Sequence, residues 1–373
     1  MNHFEIKKKE QLNLYYPGMF DFLKGLAMIG IIISHTKGFF PEKIFFLDNG
    51  FSMKNIALYI NEILSLGNSV IPMFFMVSGF GFRPTTTKKC FRKQIKLLFK
   101  PYAITAVAAI ILHIFTRYCV TRYWPSTLYD TLHIVMGYFF ALSEPFVVHG
   151  ETCFSVGAVW FLFALFLSWN ILNFIIEKVP STYVPAVVSV LVLIGWGIGS
   201  FVALPLCICQ SLIGTGYLYI GWLIKRKNFL SEHFSYWKWM IIIGISFISQ
   251  IFGSFRLSDL LWEYGLFDIV GAGCLAFIVM WLALRMNQFQ IPFKEAICMI
   301  GRYSLWIMCI HSIESQSVPW YVFVEKMENH CYIAFFIMLI MKGCFIYVIY
   351  RGLIWYNLQK VKKKRRERTR KNV

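Results

Sequence analysis

The chain has 373 residues, of which 58% are hydrophobic and only 15% charged. An ordinary soluble domain carries about 25% charged residues, so that class is excluded. The net charge of +18 gathers in clusters between long apolar stretches, the pattern of a chain that threads a bilayer repeatedly with Lys and Arg held on the cytoplasmic side; no stretch is left for a soluble basic domain, and nucleic acid is not an expected partner.

Apolar windows of about 20 residues predict an all-α integral membrane protein with spans at 19–39, 66–82, 101–119, 156–176, 183–203, 205–224, 237–254, 265–284, 298–317 and 331–357. About ten transmembrane helices put both termini on one side. Lys and Arg at alternate loops test that arrangement. One side holds Lys7 to Lys9, the cluster from Arg83 to Lys100, Lys178, Lys225 to Lys227, Arg285, Lys294 and the tail from Lys360 onward. The other holds only Lys37, Lys43, Lys54, Arg117, Arg122, Arg256 and Lys326. The termini are therefore expected in the cytoplasm, as a segment at 1–16 and a basic tail at 358–373 flanking a membrane domain at 17–357. The first span is broken by Asp21 and Lys24 and lacks a small-residue cleavage site, so it is expected to persist as a helix and not as a removable leader. The stretch between the third and fourth spans reads as an outer loop.

Within the first span, Asp21, Lys24, Met28, Ile32 and His35 share one helical stripe. Lys24 and His35 lie about 16.5 Å apart along the axis, and ionisable groups inside a span commonly face the protein interior and mark function. The bland alternative is an Asp21–Lys24 pair at headgroup level with His35 hydrogen-bonded in the bundle. In the second span, Ser78, Gly79 and Gly81 allow a helix or a ligand to approach the backbone. Next, Arg92, Lys93, Lys96 and Lys100 recur at helical spacing against Ile95, Leu98 and Phe99, which suits either lipid headgroups or a polyphosphate ligand. Trp160 opens the fourth span. In GRYSLWIMCIHSIES, read as one helix from Gly301 to Ser315, His311 lies about 13.5 Å beyond Arg302 with Glu314 one turn later. No Cys/His spacing resembles a metal site, and most of the ten cysteines sit in apolar windows; Cys119, Cys153 and Cys331, near the outer face, leave a disulfide open.

In this order, the segments from about residue 17 to 357 resemble the membrane acyltransferase family 3, polytopic O-acyltransferases of surface polysaccharides. The opening motif is matched by Asp21, Lys24, Gly25 and His35, the second-span motif by FFMVSGF, the basic motif by Arg92, Lys93 and Lys96 before Pro101-Tyr102, and the two later motifs by Trp160 and by Ser304 with His311. The first-span cation is Lys where Arg is commoner, and the basic motif reads Arg92-Lys93-x-x-Lys96 where the family often has two arginines three apart; Lys cannot make Arg's bidentate phosphate contacts, so the particular donor contacts do not carry over. The hydrolase-like outer domain of some members is not expected here.

The resemblance implies acetyl-CoA or another acyl-CoA as the cytoplasmic donor, a carbohydrate or glycolipid acceptor, membrane lipids as neighbours, and the plasma (inner) membrane as location. His35 is then expected as base or transient acyl carrier, with His311 and Asp21 in the catalytic group. Lys24, Arg92, Lys93 and Lys96 would hold the donor, and Ser78, Trp160, Ser304 and Glu314 the acceptor side, without a metal. Two rivals remain open: a transporter using the same ionisable groups as a relay, and a membrane scaffold without chemistry.

Overall fold

The computed structural model describes residues 18–40, 67–148, 150–230 and 235–371. Its helices are α1 (Asp21–Lys37), α2 (Gly67–Phe80), α3 (Thr87–Gln94), α4 (Lys100–Thr121), α5 (Trp124–Phe139), α6 (Trp160–Lys178), α7 (Val184–Gly199), α8 (Ile208–Arg226), α9 (Tyr236–Phe252), α10 (Leu266–Met286), α11 (Lys294–Arg302), α12 (Ser304–Ser317), α13 (Trp320–Lys326) and α14 (Cys331–Lys371). Two short antiparallel hairpins, β1 (Phe146–Val148) with β2 (Glu151–Cys153) and β3 (Phe255–Arg256) with β4 (Leu261–Trp262), sit in the connections.

Among the described residues, four helical stretches are long and apolar enough to cross a membrane: 87–121, 157–178, 266–286 and 331–352. The α11–α12 pair makes a fifth if its two arms count as one span, and three shorter apolar helices run through 69–80, 184–199 and 236–252. The molecule is thus an all-α multi-pass membrane protein. Helix α1 falls short of the apolar criterion because it carries Asp21, Lys24, Ser34, His35, Thr36 and Lys37, the groups that make it chemically interesting.

Close backbone contact organises the bundle. A Cβ at Gly79 of α2 would lie 1.9 Å from the Leu218 carbonyl oxygen of α8, and one at Gly221 of α8 would lie 2.0 Å from the Met76 carbonyl oxygen of α2. Without a side chain at these two positions the helices touch main chain to main chain, the small-residue packing that membrane helices favour. The same device joins α1 to α11, where a Cβ at Gly25 would meet the Ile297 carbonyl oxygen at 2.0 Å and one at Gly301 the Asp21 carbonyl oxygen at 1.7 Å. Phe75, Met73 and Met76 of α2 are fully buried between these neighbours.

Three sequence expectations change. Residues 120–155 hold α5 as well as loop: Arg117 of α4 pairs with Asp130 of α5 at 2.6 Å, and Tyr102 donates to the Tyr138 carbonyl oxygen at 2.6 Å. The basic segment, exposed at Arg92, Lys93 and Lys96, is not separated from the third span: α3 continues through a π-helical turn, Ile95–Phe99, into α4. That wider turn falls immediately before Pro101, whose missing N–H removes one donor from the regular ladder. The ninth span is two helices bent by 76° at Tyr303, so Arg302 and His311 do not share an axis. Gly301 explains the corner, because the chain there lies against the backbone of α1. All ten cysteines are free, and Cys344 is exposed.

Candidate active site

A cavity of about 970 Å³ runs through the bundle between α1, α2, α6, α12 and the loop around β3, at the upper end of ordinary ligand pockets. Lys24, Met28, Ile31, Ser34 and His35 line it along one face of α1. Val77 and Ser78 of α2, Trp160 and Phe161 of α6, and Ser304 and Met308 of α12 complete the central walls. Beyond His35 it ends among Glu144, Arg256, Ser258 and Asp259.

At its foot, Lys24 Nζ pairs with Asp21 Oδ1 at 2.8 Å, and Arg302 Nε reaches Asp21 Oδ2 at 3.4 Å. The i,i+3 pair anticipated as the bland reading is therefore formed, yet Lys24 still borders the cavity. Asp21 does not line it. Fourteen residues of helix put Asp21 about 21 Å from His35, so its observed partners make it a holder of Lys24 and of the α11 corner, at a distance from the histidines.

The centre is a chain of four ionisable side chains. His35 Nδ1 lies 3.2 Å from His311 Nε2, His311 Nδ1 lies 2.7 Å from Glu314 Oε1, and Lys342 Nζ of α14 lies 3.3 Å from the same carboxyl oxygen. Glu314 Oε2 accepts from Trp320 Nε1 at 2.6 Å. His311, Glu314 and Lys342 are completely buried, whereas His35 opens on the cavity. Lys342 also lies over the rings of Phe39 and Trp320, at 5.0 and 5.3 Å, where a desolvated ammonium is attracted by the aromatic faces.

Hydrogen-bond logic assigns the protons. An ionised carboxylate only accepts, so opposite ionised Glu314 the His311 Nδ1 carries hydrogen; in the tautomer with no second hydrogen on His311, its Nε2 accepts from His35 Nδ1. His35 is left with its Nε2 lone pair. The arrangement makes one ring a base at the cavity surface and gives it a second ring and a buried carboxylate behind it, a constellation able to move a proton without metal. Among the described residues no group of three or more His, Cys, Asp or Glu side chains is arranged to hold a metal ion.

Of the residues singled out from sequence, Lys24, His35, Ser78, Trp160 and Ser304 line the cavity, and His311 and Glu314 stand directly behind it. Ser78 Oγ accepts from Trp169 Nε1 at 2.7 Å. Arg92, Lys93 and Lys96 are exposed on α3 and the π turn and do not line the cavity, although Leu98 of that turn does. Sequence reasoning missed Lys342. The signal was present, a lone cation in the middle of an apolar window, but the window was read only as a span. It also missed Glu144, Ser258 and Asp259, which lie in loops with no motif.

The bundle thus encloses a cavity backed by two histidines and a carboxylate within hydrogen-bond distance of one another. The sequence model of acyltransferase family 3, described as an acyltransferase domain, matches residues 19–356, and the chain belongs to that family. It is a membrane acyltransferase. No curated protein and no solved structure matches the chain.

Proposed function

We propose that the protein is an O-acetyltransferase that moves an acetyl group from cytoplasmic acetyl-CoA to a hydroxyl of a cell-surface carbohydrate or its glycolipid precursor, in the plasma (inner) membrane. The observation that carries this reading is His35, whose free nitrogen faces a cavity bordered by a cation at one end and by polar loops at the other. Ten spans with both termini in the cytoplasm, an arrangement the loop charges support, would put Lys24 at the donor side and the loop around residues 253–261 at the acceptor side. Lys24, with Arg92, Lys93 and Lys96 of the basic segment, meets the phosphates of CoA; the thioester extends up the α1 face toward His35. The basic surface of α3 also sits among anionic lipid headgroups.

In the reaction, the acceptor oxygen attacks the thioester carbonyl carbon, a C–O bond forms and the C–S bond breaks. His35 Nε2 takes the hydroxyl proton and returns one to the departing CoA sulfur. Positive charge arising on His35 is shared with His311 through the Nδ1 to Nε2 hydrogen bond and is opposed by Glu314. Ser78, Trp160 and Ser304 shape the space in which the acceptor lies.

A cavity lined by ionisable groups is also what a proton or substrate relay of a transporter needs. One assay separates the two: release of CoA thiol from acetyl-CoA by purified protein in nanodiscs, with and without oligosaccharide. Release that disappears in His35→Ala supports the enzyme, whereas a wild type that releases none under any condition removes it.

A further inference from the structure

The far end of the cavity is built from two loops and the first turn of α8. Ser143 Oγ donates to the Ser258 carbonyl oxygen at 2.7 Å. Gln210 Nε2 donates to Ser143 Oγ at 2.9 Å and to the Ser258 carbonyl oxygen at 3.3 Å. A carbonyl oxygen can only accept, so the amide orientation of Gln210 is fixed. Its Oε1 is then left without a partner among the described residues, although Gln210 is only 2% exposed. A buried acceptor in that condition calls for a donor from outside the chain.

Gln210 lines a small recess of about 50 Å³ shared with Ser143, Glu144, Ser258 and Asp259, room enough for a hydroxyl group. Glu144, Ser258 and Asp259 line the main cavity as well. Glu144 and Asp259 stand side by side at the boundary of the two spaces. Arg256 Nη1 lies 2.9 Å from Asp259 Oδ2, and Ser258 Oγ donates to Asp259 Oδ1. Burial and the neighbouring Asp259 carboxyl together raise the Glu144 carboxyl above its ordinary range, against the opposing pull of Arg256. Glu144 and Asp259 both border the cavity, where carboxyl oxygens can accept. The site therefore offers several acceptors and few donors, with the aromatic walls of Phe74, Phe161 and Trp160 beside it.

We propose that Glu144, Asp259 and Gln210 form the acceptor-binding subsite and take a carbohydrate through neighbouring hydroxyl groups, one of them seated in the Gln210 recess. Hydroxyls of a polyol supply the donors this surface lacks, the carboxyl oxygens fix two of them, and apolar sugar faces lie on the aromatic walls. The inference rests on the acyl-transfer reading for its purpose, but the subsite is defined by its own residues. Arg256, more than half exposed on its side chain, stands at the mouth, where it holds Asp259 in position.

The test uses purified full-length protein in nanodiscs on a microbial glycan array, with CoA affinity measured in parallel on the same preparations. Wild type binds a subset of glycans. The double variant Glu144→Gln, Asp259→Asn loses that binding by at least tenfold while CoA affinity is unchanged, which reports an intact fold and an intact donor end. Gln210→Leu, which removes the unpartnered acceptor without adding bulk, weakens the same glycans. Glycan binding retained in the double variant, or no glycan bound by wild type, overturns the subsite. A wild type that binds glycans through these residues but releases no CoA from acetyl-CoA keeps the subsite and fails the acyl-transfer reading instead.

Discussion

His35 is at once the last residue of the α1 stripe that faces the cavity and the first of the buried relay, so its replacement separates chemistry from binding. His35→Ala is expected to lower acetyl transfer by at least the 10²–10⁴-fold that a positioned general base supplies, with CoA affinity nearly unchanged because Lys24 lies about 16.5 Å away along the helix. Single-turnover transfer and CoA binding on one preparation check this; retained transfer would assign the proton to another group. Lys342 and Glu314 give a second expectation. Each is wholly buried and the two charges offset each other, so Lys342→Met leaves the buried carboxylate with its His311 and Trp320 contacts but without its cation and costs up to about 3–5 kcal/mol. Adding Glu314→Gln restores much of that stability but not turnover, since nothing then opposes charge on the histidines. A double-mutant cycle on thermal unfolding and on kcat reads both halves, and equal, additive losses in the two would dissolve the coupling. The sequence made His35 and His311 visible because each stands inside an apolar window at a fixed distance from a motif cation. It could not show that their rings touch, because that contact joins residues 276 positions apart and depends on the corner at Tyr303.

At the scale of the element, helix types were readable from apolar length and basic clusters, whereas bends and approaches were not. Periodicity cannot reveal the 76° break between α11 and α12, since both arms are locally helical; only the approach of Gly301 to the α1 backbone explains it. Nor does a basic stripe tell whether its helix is separate: α3 shares a continuous axis element with α4 through the π turn. Contact between α2 and α8 yields a direct test. Gly79→Ala puts a methyl group where the Leu218 carbonyl oxygen lies 1.9 Å away, and overpacking of this kind costs about 1–3 kcal/mol. Because α2 carries Phe74, Val77 and Ser78 into the cavity, thermal stability in detergent and turnover should fall together. An unchanged melting temperature would mean the two backbones are not in contact. On α3, neutralising Lys93 and Lys96 together is expected to weaken acetyl-CoA binding tenfold or more, given about 1.5–3 kcal/mol for a hydrogen bond to a charged group. Unaltered donor affinity would leave these exposed cations to the lipid.

For the whole molecule, one orientation decides whether donor and acceptor ends are correctly named. The cavity is asymmetric, with Lys24 at one end and Glu144 and Asp259 at the other, and the basic residues of the chain gather near the Lys24 end: the α3 cluster, Lys225 and Arg226 at the close of α8, Arg285 in the last turn of α10 and Lys294 at the start of α11. Short loops rich in Lys and Arg stay in the cytoplasm, so in the proposed reaction acetyl-CoA would approach from that side and the carbohydrate from the other. Reporters inserted at 225–229 and after Gln359 are therefore expected to read cytoplasm, and one at 320–328, following α12, to read the outer side. Those positions test opposite ends of the relay, because α12 carries His311 away from the α11 corner toward the segment that holds Trp320. An outer signal from 225–229 would reverse the cavity, place Lys24 away from any cytoplasmic cosubstrate and refute the donor path, while the His35–His311–Glu314 chain and its ion pair with Lys342 would stand unaltered.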